Sequence, residues 1–216
     1  NPEAKSFTPE GFKDTVVPKE MSLEDIQQTI QDFKNAAANA WEAGFDGVEI
    51  HSSNGYLLHQ FFSSTSNIRE DEYGGSIENR ARILFEIIDE IKKVMPENRI
   101  GLRLNEDTIP TFDYIIEKLN DYDLAYLHLS EPFNDVSDVE DAETQIAKRY
   151  RPIYKGNLMI NANFDQEKGN KVIEDGDADM VAYGKPYISN PDLVERFENG
   201  AELAEFDTDT FYTPGH

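Results

Sequence analysis

Cysteine is absent from this 216-residue chain, which removes disulfides, thiolate nucleophiles and cysteine-ligated metal or iron–sulfur centres. Basic residues are few beside acidic ones, 20 against 43, and the net charge of -23 repels nucleic-acid phosphates and anionic membranes. The acidic residues are spread along the chain as a solvated surface, so an anionic ligand needs a local basic residue. No run approaches the ~18 apolar residues of a membrane span. The opening NPEAKSFTPEGF has neither a basic n-region nor an apolar h-region, so a soluble, cytoplasmic protein is expected. Also missing are a G-x-G-x-x-G after any strand, a G-x-S-x-G elbow, and the i, i+4 ligand spacing of a helical metal site, since His51 and His59 do not provide it. No metal site is expected.

What is present, 38% hydrophobic residues with 11% aromatics, suffices for one sizeable core. Apolar residues Leu23, Ile26, Ile30, Phe33 and Ala37 recur at helical spacing behind Ser22 as N-cap, and the helix should stop near Gly44. The strand-like GVEIH follows. The order then repeats: Ser76 caps a helix with the face Leu84, Ile87, Ile88, Ile91 and Val94, before IGLRL at 100–104. Phe112, Ile115, Ile116 and Leu119 precede LAYLHLS at 124–130. Helices around 143–150 and 166–174 precede NLMINA at 157–162 and MVAYGK at 180–185. NPDLVERFENG reads as a last helix with Asn190 as cap, Pro191 at its first position and Gly200 past its end.

This alternation predicts an α/β fold with a parallel sheet, because parallel neighbours need long crossovers. About five strands favour an open sheet by length. Polar residues at strand C-terminal ends, His51, Arg103 with Asn105, His128 with Glu131, Asn161 with Asn163, and Gly184 with Lys185, favour a (β/α)8 barrel or a large part of one. The expected organisation is a single partial-barrel domain, with an irregular lead-in over 1–21, βα units over 22–200 and a C-terminal segment over 201–216.

In VEIHSSNGYLLHQ, His51 ends a strand and can donate a hydrogen bond to a carbonyl or nitro oxygen, with Asn54 as a second donor. Tyr56, a weak acid of pKa about 10, can deliver a proton to the neighbouring carbon. Each has a plain structural reading too: a strand-end histidine, a turn asparagine, a packed tyrosine. Arg103, inside an otherwise apolar strand, must be paired with a carboxylate or bound to a ligand. The turn AYGKPYISNPDLVER joins a strand end, Gly184, Lys185 and a helix start, as a phosphate site does. It reads equally as an ordinary turn with a solvated lysine.

AGFDGVEIHSSNGYLLHQFF and NIREDEYGGSIENRARILFEIIDEI together resemble the core signature of the old yellow enzyme family of FMN-dependent ene-reductases. TPEGF, IGLRLN, LAYLHLSEP, YGKPYISNPDLVER and DTDTFYTPG extend the resemblance over nearly the whole chain. It implies a (β/α)8 barrel with FMN at the C-terminal mouth, NADPH or NADH as reductant, and an activated alkene as small-molecule substrate. By resemblance, His51 and Asn54 hold the substrate oxygen, Tyr56 donates the proton and Arg103 lies by the flavin. Ala162, Asn163, Gly184 and Lys185 bind the phosphate, and Phe211 and Tyr212 are aromatic neighbours of the flavin. Lys185 stands where the family more often has arginine, and Ala162 where glycine is frequent. Only about five of the eight strands are recognisable. The expected enzyme therefore needs its open sheet edges covered by a second copy or a complementary fragment. The alternative is a truncated or engineered partial-barrel scaffold without turnover, binding flavin or phosphate weakly.

Overall fold

Residues 5–8, 11–14, 18–105, 109–130, 145–161 and 163–211 are described by a computed structural model. After an antiparallel hairpin, β1 (Lys5–Thr8) and β2 (Gly11–Asp14), the chain alternates helices with five parallel strands. The strands are β3 (Val48–His51), β4 (Ile100–Asn105), β5 (Tyr126–Ser130), β6 (Leu158–Asn161) and β7 (Met180–Val181), in spatial order β3-β4-β5-β6-β7. The helices are α1 (Leu23–Glu42), α2 (Leu57–Phe62), α3 (Ile77–Ile91), α4 (Ile109–Lys118), α5 (Gln145–Tyr150), α6 (Gln166–Glu174), α7 (Lys185–Ser189) and α8 (Leu193–Asn199).

The helix starts follow from local chemistry. The Ser22 hydroxyl accepts from Asp25 N–H while the Asp25 carboxylate accepts from Ser22 N–H, a reciprocal box that satisfies two donors at the head of α1. The Ser76 hydroxyl caps α3 by accepting from Asn79 N–H, without a reciprocal bond. At the far end of α1, Gly44 takes the left-handed conformation at φ 88° that stops the helix. Ile26, Ile30 and Ala37 of α1, Leu84, Ile87, Ile88 and Ile91 of α3, and Phe112, Ile115 and Ile116 of α4 are buried in one contiguous core, whereas Leu23 is exposed.

Side chains alternate between the two faces of each strand. One face carries Ile50, Ile100, Leu102, Leu104, Leu127, Leu129, Leu158 and Ile160, all buried in the helix-covered core. The other carries Glu49, His51, Arg103, Asn105, Tyr126, His128, Ser130 and Asn161. A sheet covered by helices on both faces would be apolar on both. The polar face therefore decides against the open sheet: it is the inward face of part of a (β/α)8 barrel.

Several boundaries differ from the sequence reading. The lead-in holds a hairpin. The last strand ends at Val181, and Lys185 opens α7 instead of closing a strand. Asp192, not Asn190, is the N-cap of α8. Asn190 is buried because its carboxamide donates to Pro186 O and Ala204 O and accepts from Ala204 N–H, pinning the segment after α8. Gly200, at φ 62°, ends α8 as expected.

The stretch NIREDEYGGSIENRAR is a brace. Arg69 grips Asp71 through Nε and Nη2 at 3.0 and 2.5 Å and reaches Met21 O at 2.6 Å. A side chain at Gly74 would collide with the Arg69 carbonyl oxygen, which would lie 2.2 Å from its Cβ. Arg80 donates to Phe62 O, Gly75 O and the buried Thr111 hydroxyl, joining α2, the loop and α4. Arg80→Met should therefore destabilise the protein by about 2–4 kcal/mol through stranded buried acceptors. Urea unfolding monitored by circular dichroism measures it; a change within 0.5 kcal/mol, roughly that of an ordinary surface substitution, contradicts the brace.

Candidate active site

His51 and Arg103 are register partners on adjacent strands, so the ladder itself puts imidazole and guanidinium side by side on the polar face. Past His51 the chain turns through Ser53-Asn54-Gly55-Tyr56, closed by Tyr56 N–H to Ser53 O at 3.2 Å. Asn54 and Gly55 have φ of 59° and 76°, the positive pair that a type I′ turn requires and that Asn-Gly supplies most readily. Gly55 N–H donates to His59 Nδ1 at 2.7 Å, and Gln60 Nε2 donates to Gly55 O at 2.7 Å. Asn54 N–H donates to Asn105 Oδ1 at 2.8 Å. The turn carries Tyr56, an exposed residue at the N-cap of α2, back over the strand end, where its ring lies 5.3 Å from that of His51.

Arg103 makes no carboxylate ion pair among the described residues. Its Nε donates to Ser130 Oγ at 3.1 Å. Nη1 and Nη2 have no hydrogen bond within the described residues, leaving a half-buried cation with two donor nitrogens to offer.

Beneath this pair lies a carboxylate with several partners. Glu49 is two residues before His51 on the same face, and its register partner is Gly101. A Cβ at Gly101 would meet the Tyr126 ring at 2.4 Å. With no side chain on β4 there, Glu49 of β3 reaches β5 directly: Oε2 lies 2.9 Å from His128 Nδ1, and the Tyr126 hydroxyl is close enough to interact electrostatically with the carboxylate. Burial works to raise the Glu49 carboxyl, but the His128 hydrogen bond and charge, the Tyr126 hydroxyl and Arg103 outweigh it and hold it below the usual range. Burial, with Glu49 adding to it, pushes the Tyr126 hydroxyl up to about 12. The neutral form of His51 is favoured by burial first and then by Arg103; Glu49 opposes both. A neutral ring that accepts from Ser53 Oγ at Nδ1, 3.3 Å away, carries its proton on Nε2, where it serves as a donor.

Of the residues expected to hold a phosphate, Asn163 is exposed just after β6, and Gly184 and Lys185 open α7. A Cβ at Gly184 would meet nothing within 4 Å, so the space before that backbone is open. Lys185 Nζ lies 5.7 Å from the ring centroid of Phe206, whose ring is 6.0 Å from that of Phe211. Phe206 thus links the lysine turn to the C-terminal aromatic, a connection the sequence did not suggest. Ala162 and Tyr212, like Glu131, lie outside the described residues. His51 ends one edge strand of the sheet and the Gly184 turn follows the other. Among the described residues no group of three or more His, Asp or Glu is placed to hold a metal ion.

Sequence reasoning missed Glu49, Tyr126 and His128 as a unit, along with the turn-capping role of His59. The period-two spacing of Glu49 and His51 was the available signal. Its meaning depends on Gly101 facing Glu49, which only the register reveals.

An inward-facing polar sheet with histidine, arginine and tyrosine at its C-terminal edge lies where barrel folds gather their ligand-binding groups. Residues 2–204 match the model of the NADH:flavin oxidoreductase / NADH oxidase family. The chain belongs to this family, the old yellow enzymes. It is 41% identical over 207 residues to putative 12-oxophytodienoate reductase 5 of Oryza sativa subsp. japonica, covering 91% of this chain and 55% of that protein. It is equally 41% identical over 207 residues to 12-oxophytodienoate reductase 1 of the same organism, covering 91% of this chain and 54% of that protein. Among solved structures, morphinone reductase superposes with a TM-score of 0.87 at 36% identity, covering 97% of this chain and 59% of the other. An old yellow enzyme homologue from Zymomonas mobilis gives 0.89 at 31%, covering 98% and 62%. The chain thus spans about half the length of the curated relatives it matches. FMN and a nicotinamide are the cofactors that this family brings. No helix among the described residues is long and apolar enough to cross a membrane.

The Glu49 charge has a direct readout. In histidine-resolved NMR titrations, His51 should titrate below the ordinary value of about 6.5, and Glu49→Gln should move it further down, since a neighbouring charge that raises it is removed. A midpoint unchanged by Glu49→Gln contradicts the electrostatic reading. Because folding depresses this pKa, the unfolded chain binds more protons just below pH 6.5, and the His51 contribution to stability is lost as pH falls through that interval.

Proposed function

We propose that this chain carries the substrate-activating half of an FMN-dependent ene-reductase, which reduces activated C=C bonds of α,β-unsaturated carbonyl or nitro compounds with NADPH or NADH. The observation that carries the reading is the grouping at one strand edge: His51 beside Arg103, with the Tyr56 ring 5.3 Å from the His51 ring. The relatives' names, 12-oxophytodienoate reductase and morphinone reductase, are those of reductases of oxo compounds.

The residues fit FMN on two observations, the Nη donors of the half-buried Arg103, which make no hydrogen bond among the described residues, and the open space before Gly184. Arg103 would hold the electron-rich ring edge, and Asn163, Gly184 and Lys185 the phosphate, together with Ala162. Phe211 and Tyr212 would lie against the ring. FMN, when bound, supplies the hydride. His51, as an Nε2 donor, and Asn54 hold the substrate oxygen and stabilise the negative charge that develops on it. Tyr56, exposed at the rim, delivers its phenolic proton to the α-carbon.

The reading also requires strands beside β3 and β7, which have no further strand neighbour among the described residues. Further residues of the same polypeptide, a second copy or a complementary polypeptide would each supply them. Those unpaired edges are equally what favours the alternative, a partial-barrel scaffold without turnover.

Added FMN separates the two. Uptake of flavin by the purified chain, seen as a visible absorption band that stays with the protein through gel filtration, is the expected result; a colourless protein supports the scaffold. In the flavin-loaded protein, Tyr56→Phe should slow alkene reduction by on the order of 10²-fold and leave flavin reduction by the nicotinamide nearly unchanged. Equal losses in the two half-reactions would remove Tyr56 as the proton donor.

A further inference from the structure

Asn54 is the one non-glycine residue with positive φ among the described residues, a backbone region that asparagine tolerates better than most side chains but that still needs support from its surroundings. The β3–β4 ladder supplies that support in an unusual way. His51 pairs with Arg103, and Ser52 N–H donates to Arg103 O at 3.0 Å. In a parallel ladder the next rung falls two residues on along both strands, where Asn54 N–H would meet the main-chain carbonyl of Asn105. It meets the Asn105 side chain instead, at 2.8 Å. The carboxamide oxygen replaces the carbonyl, so the backbone can turn off the sheet at Ser53 while remaining tied to the strand that bears Arg103.

We propose that Asn105 is a positioning residue that makes the last rung of the β3–β4 ladder with its side chain, fixes Asn54 relative to His51, and so sets how tightly the site holds the oxygen of an unsaturated carbonyl substrate. This rests on the ene-reductase reading of the same site. Asn105 touches neither substrate nor cofactor in this role; it acts through the main chain of Asn54. Its position two residues beyond Arg103 on one face makes β4 the shared mount for the arginine and for the oxygen-binding turn. Two other contacts, Gly55 N–H on His59 and Tyr56 N–H on Ser53 O, hold the turn from within and from α2. Among the described residues, only the Asn105 bond ties its main chain to the neighbouring strand.

The test compares wild type, Asn105→Leu, which lacks the acceptor, and Asn105→Asp, which keeps an acceptor oxygen in place. Two quantities are read: hydrogen exchange at the Asn54 amide by NMR, and the dissociation constant for 2-cyclohexen-1-one by calorimetry with saturating FMN. In Asn105→Leu the Asn54 amide should lose its protection while that of Ile50, inside β3, is kept, and cyclohexenone binding should weaken about ten-fold or more. Asn105→Asp should restore both readouts, the affinity to within about three-fold of wild type. A merely structural anchor would lower stability and leave affinity untouched, so equal affinity in wild type and Asn105→Leu overturns the proposal. An Asn54 amide as protected in Asn105→Leu as in wild type overturns it too. If the leucine variant does not fold, Asn105→Ala is read by the same criteria. Wild type that binds FMN but no cyclohexenone refutes the ene-reductase reading and the substrate role with it, while the exchange data still decide whether Asn105 fixes Asn54.

Discussion

Everything in this molecule hangs on the period-two division of the strands between an aliphatic face and a polar one. Ile50, Leu102, Leu104, Leu127, Leu129 and Ile160 are at most 3% exposed, and burying a side chain of this size contributes on the order of 1.5–3 kcal/mol. A one-residue slip of any strand would exchange that gain for a buried Glu49, Arg103 or His128. The register is thereby fixed by the core, and the polar face inherits its geometry. His51 stands beside Arg103 because Ile50 must stand beside Leu102. The candidate chemistry is held in place by hydrophobic packing on the opposite side of the same strands.

The loop after β3 is ordered by different means. Its backbone makes the Asn-Gly turn, its polar atoms are spent on His59, Gln60 and Asn105, and the segment that follows is gripped by Asn67, Arg69 and Arg80. The long stretch by which the chain resembles its family is accordingly of two kinds. His51, Asn54 and Tyr56 lie exposed at the polar edge while Ser52 and Ser53 are buried, whereas residues 67 to 80 brace the loop that presents them.

How far this was legible in the sequence divides along the same line. Most helix-face positions, the caps Ser22 and Ser76, the stop at Gly44 and the strands as apolar runs are local signals that the structure follows, though Leu23 is exposed and α3 ends at Ile91, before Val94. Asn190 shows the limit: an asparagine before proline reads as a cap, yet its carboxamide is taken by Ala204, fourteen residues away, and the cap passes to Asp192. The two-residue β7 and the start of α7 at Lys185 likewise depart from a pattern that continues apolar through Tyr183. In the candidate site, His51, Asn54, Tyr56 and Arg103 were readable one by one from their places at strand ends. That His51 and Arg103 are neighbours, that Glu49 meets His128, and that Phe206 sits between Lys185 and Phe211 depend on pairings no local pattern encodes.

The bare backbone at Gly101 carries a consequence for how this sequence can vary. Because Tyr126 lies across it and Glu49 reaches over it to His128 on a strand that is not its neighbour, an added methyl group would strike the Tyr126 ring. The residue has an ordinary φ and does no turning, so a survey of glycines by backbone angle would pass it as replaceable. Its tolerance to substitution is set entirely by what crosses above it. Changes at Glu49, Tyr126 and His128 are coupled through that gap, and a compensated variant would have to alter β3, β4 and β5 together.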